Sequence, residues 1–202
     1  MEKIEIRDLI VSALLLALAF AIAFNGGIGG LISSIGELPF LFVFAIITVS
    51  LSFILHELGH RFMAKHYGCF AEYKMWPKGL FLALMLSLFG FVFAAPGAVY
   101  IHPRHDLWGG VKQLTRKAHG IISATGPAIN IILAFVFLFL TMFARFPHTI
   151  ANYGIMINAW LAIFNLIPFG PLDGKKILEW NKIVWGGEIL ISIALYASMI
   201  LF

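Results

Sequence analysis

The stretch with the clearest chemical potential is His56-Glu57-Leu58-Gly59-His60, near the end of an apolar run that begins at Pro39. Residues four apart on a helix share a face, so His56 and His60 can offer two imidazole nitrogens to one ion, with Glu57 beside them. Neutral imidazoles bind Zn²⁺ strongly, and a carboxylate that is not a ligand can take a proton from the water that the ion activates. This is the H-E-x-x-H pattern of zinc hydrolases. A helix that merely happens to carry two histidines and a glutamate is the simpler reading. The apolar setting argues against it, because ionisable groups inside a membrane segment are costly and mark function.

The elements that must position this motif are membrane helices. Of 202 residues, 61% are hydrophobic and only 12% charged, and the mean hydropathy is +0.95. Such a chain cannot present an ordinary soluble surface, so an integral, multi-pass membrane protein with the lipid bilayer as its surroundings is expected. The net charge of +4 comes mainly from Lys and Arg in the gaps between apolar runs. That placement bears on orientation in the membrane. No basic stripe interleaved with aromatics is visible, so nucleic acid is excluded as a partner. The single cysteine, Cys69, rules out an intrachain disulfide and reads as a packing residue.

Residues 9–24 form a first apolar run. Glu2, Glu5 and Asp8 before it speak against a cleavable leader, which wants a positive start, so a retained first helix is expected. The Gly- and Ser-rich residues 25–38 read as a loop, and Pro39 suits the start of the next helix. A second span over 39–64 carries the motif roughly 25 Å along its axis, inside the bilayer. Arg61, Lys65, Lys74 and Lys78 follow, which makes that side cytoplasmic, and with it the amino terminus. Further spans are expected at 121–143, 153–169 and 183–202, five in all. A basic connection at 102–119 contains His102, His105 and His119, read as solvated residues. The whole chain reads as one membrane domain without a soluble module.

Zinc needs a third protein ligand beyond two histidines. A candidate lies in Asn165-Leu166-Ile167-Pro168-Phe169-Gly170-Pro171-Leu172-Asp173-Gly174, where two prolines three apart stop a regular helix and free the backbone around Asp173. Taken alone, Asp173 reads equally as a turn residue. The two motifs together resemble the site-2 protease family of intramembrane metalloproteases, peptidase family M50, in which H-E-x-x-H is paired with a downstream N-x-x-P-x-x-P-x-D-G. Asn165, Pro168, Pro171, Asp173 and Gly174 match it, and Gly126-Pro127 looks like the glycine-proline that opens the family's third core helix. The likeness extends over roughly 39–180. Lys175-Lys176 departs from it, since many members have a glycine and an arginine there.

The resemblance implies one Zn²⁺ per chain held by His56, His60 and Asp173, Glu57 as general base and then proton donor, and Asn165 in contact with the substrate backbone or the developing oxyanion. Both ligand segments must end at the same depth on the same side. Residues 79–101 are long enough to cross, but a crossing would carry Asp173 to the opposite face and put the basic 102–119 connection outside. A re-entrant segment is therefore expected over 79–101, with a half-helix near 80–89 and a turn or β-hairpin around 94–98. Gly97 to Ile101 (GAVYI) is β-prone, so Gly97 and Val99 are candidates for contact with an extended substrate.

The leading expectation is a zinc endopeptidase of the plasma membrane that cuts transmembrane segments of other membrane proteins, with its site toward the cytoplasm. Two alternative readings differ in what they ask of the third ligand and of Glu57. A zinc peptidase of prenylated or signal-derived peptides would use a downstream glutamate as third ligand, and Glu179 and Glu188 lie in the wrong context. A metal-binding transporter would have no need of Glu57 as a base.

Overall fold

A computed structural model of the chain describes residues 3–102, 114–143 and 147–201. The chain forms helices α1 (Lys3–Phe24), α2 (Gly27–Ser33) and α3 (Leu38–His66), strand β1 (Phe70–Met75), helix α4 (Pro77–Ser87) and strand β2 (Gly97–His102). Helices α5 (Arg116–Phe143), α6 (His148–Asn165), α7 (Asp173–Trp180) and α8 (Lys182–Leu201) complete it. This is an all-α polytopic membrane protein with one small hairpin. Among the described residues four helices, α1, α3, α5 and α8, are long and apolar enough to cross a membrane.

The fifth expected span, α6, is apolar enough in part only. Its 18 residues include Asn152, Asn158 and Asn165. It packs against α3, α5 and α8, and Asn158 and Asn165 are satisfied within the protein, Asn158 by Asn130 and Gly154 O and Asn165 by Leu161 O.

Helix α3 is the axis of the fold. Pro39 occupies its first turn, where a missing N–H costs nothing. Its buried residues, including Leu41, Ala45, Val49, Ser52, Phe53, His56 and His60, recur at helical spacing along one face. Gly68 ends it in the left-handed conformation at φ 74°. There Gly68 N–H bonds to Lys65 O and Cys69 N–H to Ala64 O, a Schellman closure. Helix α1 packs along α3 and presents Ala13, Ala17 and Ala21, all buried and four apart. Small residues at that spacing let two backbones approach closely in lipid, where van der Waals packing drives association. Cys69 is buried with Ala64, Ala71 and Ile122, a packing role as expected.

Residues 79–101 do not cross. Helix α4 has 11 residues, about 17 Å at 1.5 Å per residue, too short for a span. The chain then returns, and β2 pairs antiparallel with β1 at the end of α3. Three details differ from expectation. The reversal lies at 88–90 rather than 94–98: Gly90 takes φ 78°, and Gly90 N–H and Phe91 N–H bond to Ser87 O and Leu86 O in a second Schellman closure. The hairpin partner is Phe70–Met75, outside the 79–101 window, with α4 inserted between the strands. Residues 25–38 form α2 and a short 3-10 turn rather than an open loop, because Gly26 and Gly27 accept positive φ and restart the helix. Of the basic connection, residues 103–113, which include His105, lie outside the described residues.

Candidate metal centre

His56, His60 and Asp173 converge although Asp173 is more than a hundred residues away in sequence. The Nε2 atoms of His56 and His60 stand 3.0 Å apart. Asp173 Oδ2 lies 3.0 Å from His60 Nε2 and 3.5 Å from His56 Nε2. All three residues are buried, and they form the His/Cys/Asp/Glu group able to hold an ion among the described residues. A tetrahedral zinc with bonds of about 2.0–2.1 Å keeps its ligand atoms about 3.3 Å apart. The observed triangle brackets that edge length, so the donor set fits zinc in both chemistry and size. His102 and His119 take no part in this group.

Each member of this group is held from behind. His56 Nδ1 pairs with Asn130 Oδ1 at 2.5 Å, and His60 Nδ1 pairs with the Ile122 carbonyl at 2.8 Å. Both partners are acceptors, so Nδ1 carries the proton and the Nε2 lone pair is left for the metal. Asn130 is itself oriented, its Nδ2 donating to Asn158 Oδ1 at 3.1 Å, while Asn158 Nδ2 donates to Gly154 O at 2.8 Å. Both asparagines have no exposed surface. Asp173 Oδ1, the oxygen turned from the histidines, has Lys176 Nζ at 3.7 Å.

The role of Asn130 and Asn158 was missed in the sequence. The available signal was an amide residue inside each of two apolar helices, where a polar side chain needs a partner.

Helix α5 is shaped to pass this close. A Cβ at Gly126 would overlap the imidazoles of both His56 and His60. Pro127 withholds a hydrogen bond from the Ser123 carbonyl, and the neighbouring Ile122 carbonyl receives His60. At the other end of the site Gly170 turns the chain at φ 60°. A Cβ on Gly174 would overlap the Leu166 backbone, so only glycine lets α7 start against the end of α6.

Glu57 is buried, and its Oε2 has no hydrogen-bond partner. With His56, His60 and Asp173 it lines a cavity of about 270 Å³. Asn165 lines the same cavity and donates through Nδ2 to Leu161 O at 2.9 Å, leaving its carbonyl oxygen available. Gly97, Val99 and Ile101 also line it.

The hairpin register decides which backbone groups those residues present. Tyr73 and Met75 donate their N–H groups to α1, away from β2, while Trp76 N–H bonds to Pro96 O. The ladder therefore uses Glu72, Lys74 and Trp76 on one strand and Tyr100, Ala98 and Pro96 on the other. By alternation, the backbone groups of Gly97, Val99 and Ile101 point away from β1, on the strand's free edge. At the lip of the cavity Lys74 sits 2.6 Å from Glu72 and holds that carboxyl below its usual range. Burial pushes the Tyr73 phenol well above its ordinary range, and the charge of Glu57 adds to the effect.

Two imidazoles and a carboxylate gathered among membrane helices, with an unpartnered glutamate in the same cavity, define a membrane-embedded metallohydrolase. Comparison with known proteins agrees. The sequence profile of Peptidase family M50 matches residues 44–152. The chain is 38% identical over 198 residues to a Methanocaldococcus jannaschii protein named "Putative zinc metalloprotease MJ0611", covering 95% of this chain and 93% of that one. It is 30% identical over 159 residues to "Putative zinc metalloprotease YwhC" of Bacillus subtilis, covering 69% of each. No solved structure matches. The chain belongs to peptidase family M50, the site-2 protease family, and is a zinc metalloendopeptidase that uses one Zn²⁺. The transporter reading does not stand.

Proposed function

We propose that this enzyme hydrolyses peptide bonds within transmembrane segments of membrane-protein substrates, with His56, His60 and Asp173 as zinc ligands and Glu57 as general base and acid. The observation that carries this reading is the opening of one cavity onto the ligand triangle, the unpartnered Glu57 Oε2 and the free edge of β2. A transmembrane substrate is helical and hides its amides, so it must unwind before it can be cut. Unwound, it needs partners for its backbone, and the edge groups of Gly97, Val99 and Ile101 supply them by strand addition.

Bound zinc supplies Lewis-acid activation of water and of the scissile carbonyl. The chain supplies the rest. Asn130 and the Ile122 carbonyl keep each imidazole in the tautomer with Nε2 unprotonated. Glu57 Oε2 takes the proton of the attacking water and returns it to the leaving amine, which otherwise departs poorly. Asn165 contacts the substrate backbone from the end of α6. Burial of the ligands strengthens each of these electrostatic contacts.

The catalytic end of α3 faces the cytoplasm of a plasma-membrane enzyme, and so does the amino terminus, on the strength of Arg61, Lys65, Lys74 and Lys78 beside that end. The 202 residues act as one protease domain with its core at 39–180. The direct test is incubation of the purified enzyme with a panel of single-span membrane proteins, with and without chelator, reading fragment masses. Cuts inside the span, abolished by chelator, are expected. Cuts confined to soluble tails would overturn the intramembrane reading.

A further inference from the structure

The acidic start of the chain takes no part in the chemistry above. Glu5 and Asp8 lie on the first turns of α1, are only 6% and 7% exposed, and face the edge of β1 that β2 does not occupy. Glu5 Oε1 accepts the Tyr73 N–H at 3.2 Å, and Asp8 Oδ2 accepts the Met75 N–H at 3.4 Å. Four residues beyond Asp8, Ser12 Oγ receives the Tyr73 phenol at 2.9 Å. Positions 5, 8 and 12 follow helical spacing, so one polar stripe of α1 meets one strand. The same Glu5 oxygen holds the guanidinium of Arg61, the residue after His60.

Two strands alone are marginally stable, and a strand edge buried against protein must find acceptors for its N–H groups. Here the acceptors are side-chain oxygens, spaced to meet two successive outward-facing donors of β1. The other oxygen of Asp8 is taken by Arg7 at 2.8 Å, which fixes the carboxylate's orientation.

We infer that Glu5 and Asp8 are positioning residues that stand in for a third strand. They satisfy β1 from α1, so the hairpin is held with the β2 edge turned to the cavity, and the Glu5–Arg61 pair ties the hairpin to the turn of α3 that carries His60. The inference rests on the reading that β2 receives substrate. It makes α1 part of the substrate-binding apparatus rather than a passive anchor.

The test uses the full chain with E5A, D8A, E5Q and D8N. It follows amide hydrogen exchange over 70–75 and 97–102, zinc content, and kcat and KM on a single-span protein that the wild type cleaves. In the alanine variants, exchange at Tyr73 and Met75 should quicken about tenfold. Zinc should remain at one per chain, and KM should rise roughly fivefold with kcat little changed. D8N and E5Q should regain most of the protection, because an amide oxygen still accepts the N–H. Unchanged exchange in E5A and D8A, or equal losses in D8N and D8A, would overturn the clamp. Faster exchange with unaltered KM would uphold the clamp and refute strand addition instead. Should E5A fail to fold, D8A and D8N decide the matter by the same readings.

Discussion

The Nδ1 atom of His56 lies 2.5 Å from Asn130 Oδ1, which joins α3 to α5 at the point where one imidazole is aimed into the His56–His60–Asp173 group. Asn130 is the first link of a buried relay through Asn158 to the Gly154 carbonyl. Every amide group in it that faces the protein has a partner, so the relay is rigid as well as polar.

Replacing Asn130 by Ala removes the acceptor that sets the His56 tautomer. Zinc affinity should fall about 10–100-fold, the usual cost of losing such an outer partner. Competition with a chromogenic chelator measures it. N130D should fare little better, because an aspartate has no N–H to give Asn158 Oδ1 and would set two acceptors against each other.

Gly126 is the point where α5 touches both histidines, and a methyl group there has nowhere to go inside a packed helix. G126A should destabilise the protein by about 1–3 kcal/mol, the range for overpacking, and lower its zinc content. Thermal unfolding in detergent, with metal analysis of the purified variant, tests both. Normal zinc and stability would show that α5 can shift away.

As the proposed general base, Glu57 should separate metal binding from turnover. E57Q keeps the size and burial of the side chain but removes its basicity, so zinc should stay while kcat falls about 10²–10⁴-fold, the usual worth of a general base. Chelation should abolish cleavage in the wild type, and added Zn²⁺ should restore it. Wild-type turnover by E57Q would reject the proposed mechanism.

The parity of β2 makes a prediction in two halves. Val99 N–H points to the free edge, so V99P removes a substrate contact without breaking the β1 ladder. Cleavage should drop roughly tenfold, the worth of one hydrogen bond left unmade, with hairpin exchange unchanged. Y100P instead removes a ladder bond opposite Glu72, so the hairpin itself should loosen. Indistinguishable behaviour of the two variants would mean that the edge assignment is wrong.

Much of the site was legible in the sequence because its chemistry is local. His56, Glu57 and His60 sit on one helix, and helical spacing alone puts them together. The prolines and glycines around Asp173 mark a break in a membrane helix, and the paired motifs carried the resemblance to the family. Parity of the ligand segments also required residues 79–101 to turn back, which β2 does. The turn was misplaced because Gly90, not Pro96, ends α4 in the left-handed conformation. Strand β1 escaped notice since its six residues, FAEYKM, carry no strong strand signal and are set by pairing with a segment beyond α4.

What the chain determined by itself was the membrane character, the two histidines and glutamate on a common helix face, and the break before Asp173, all consequences of composition and short-range backbone geometry. Tertiary structure alone decided that Asn130 aims His56, that Gly126 admits α5 to the imidazoles, and that Glu5 and Asp8 serve strand β1. Those pairings join residues 66 to 74 positions apart. No periodicity reaches that far, and a buried polar group declares its need for a partner without naming which one.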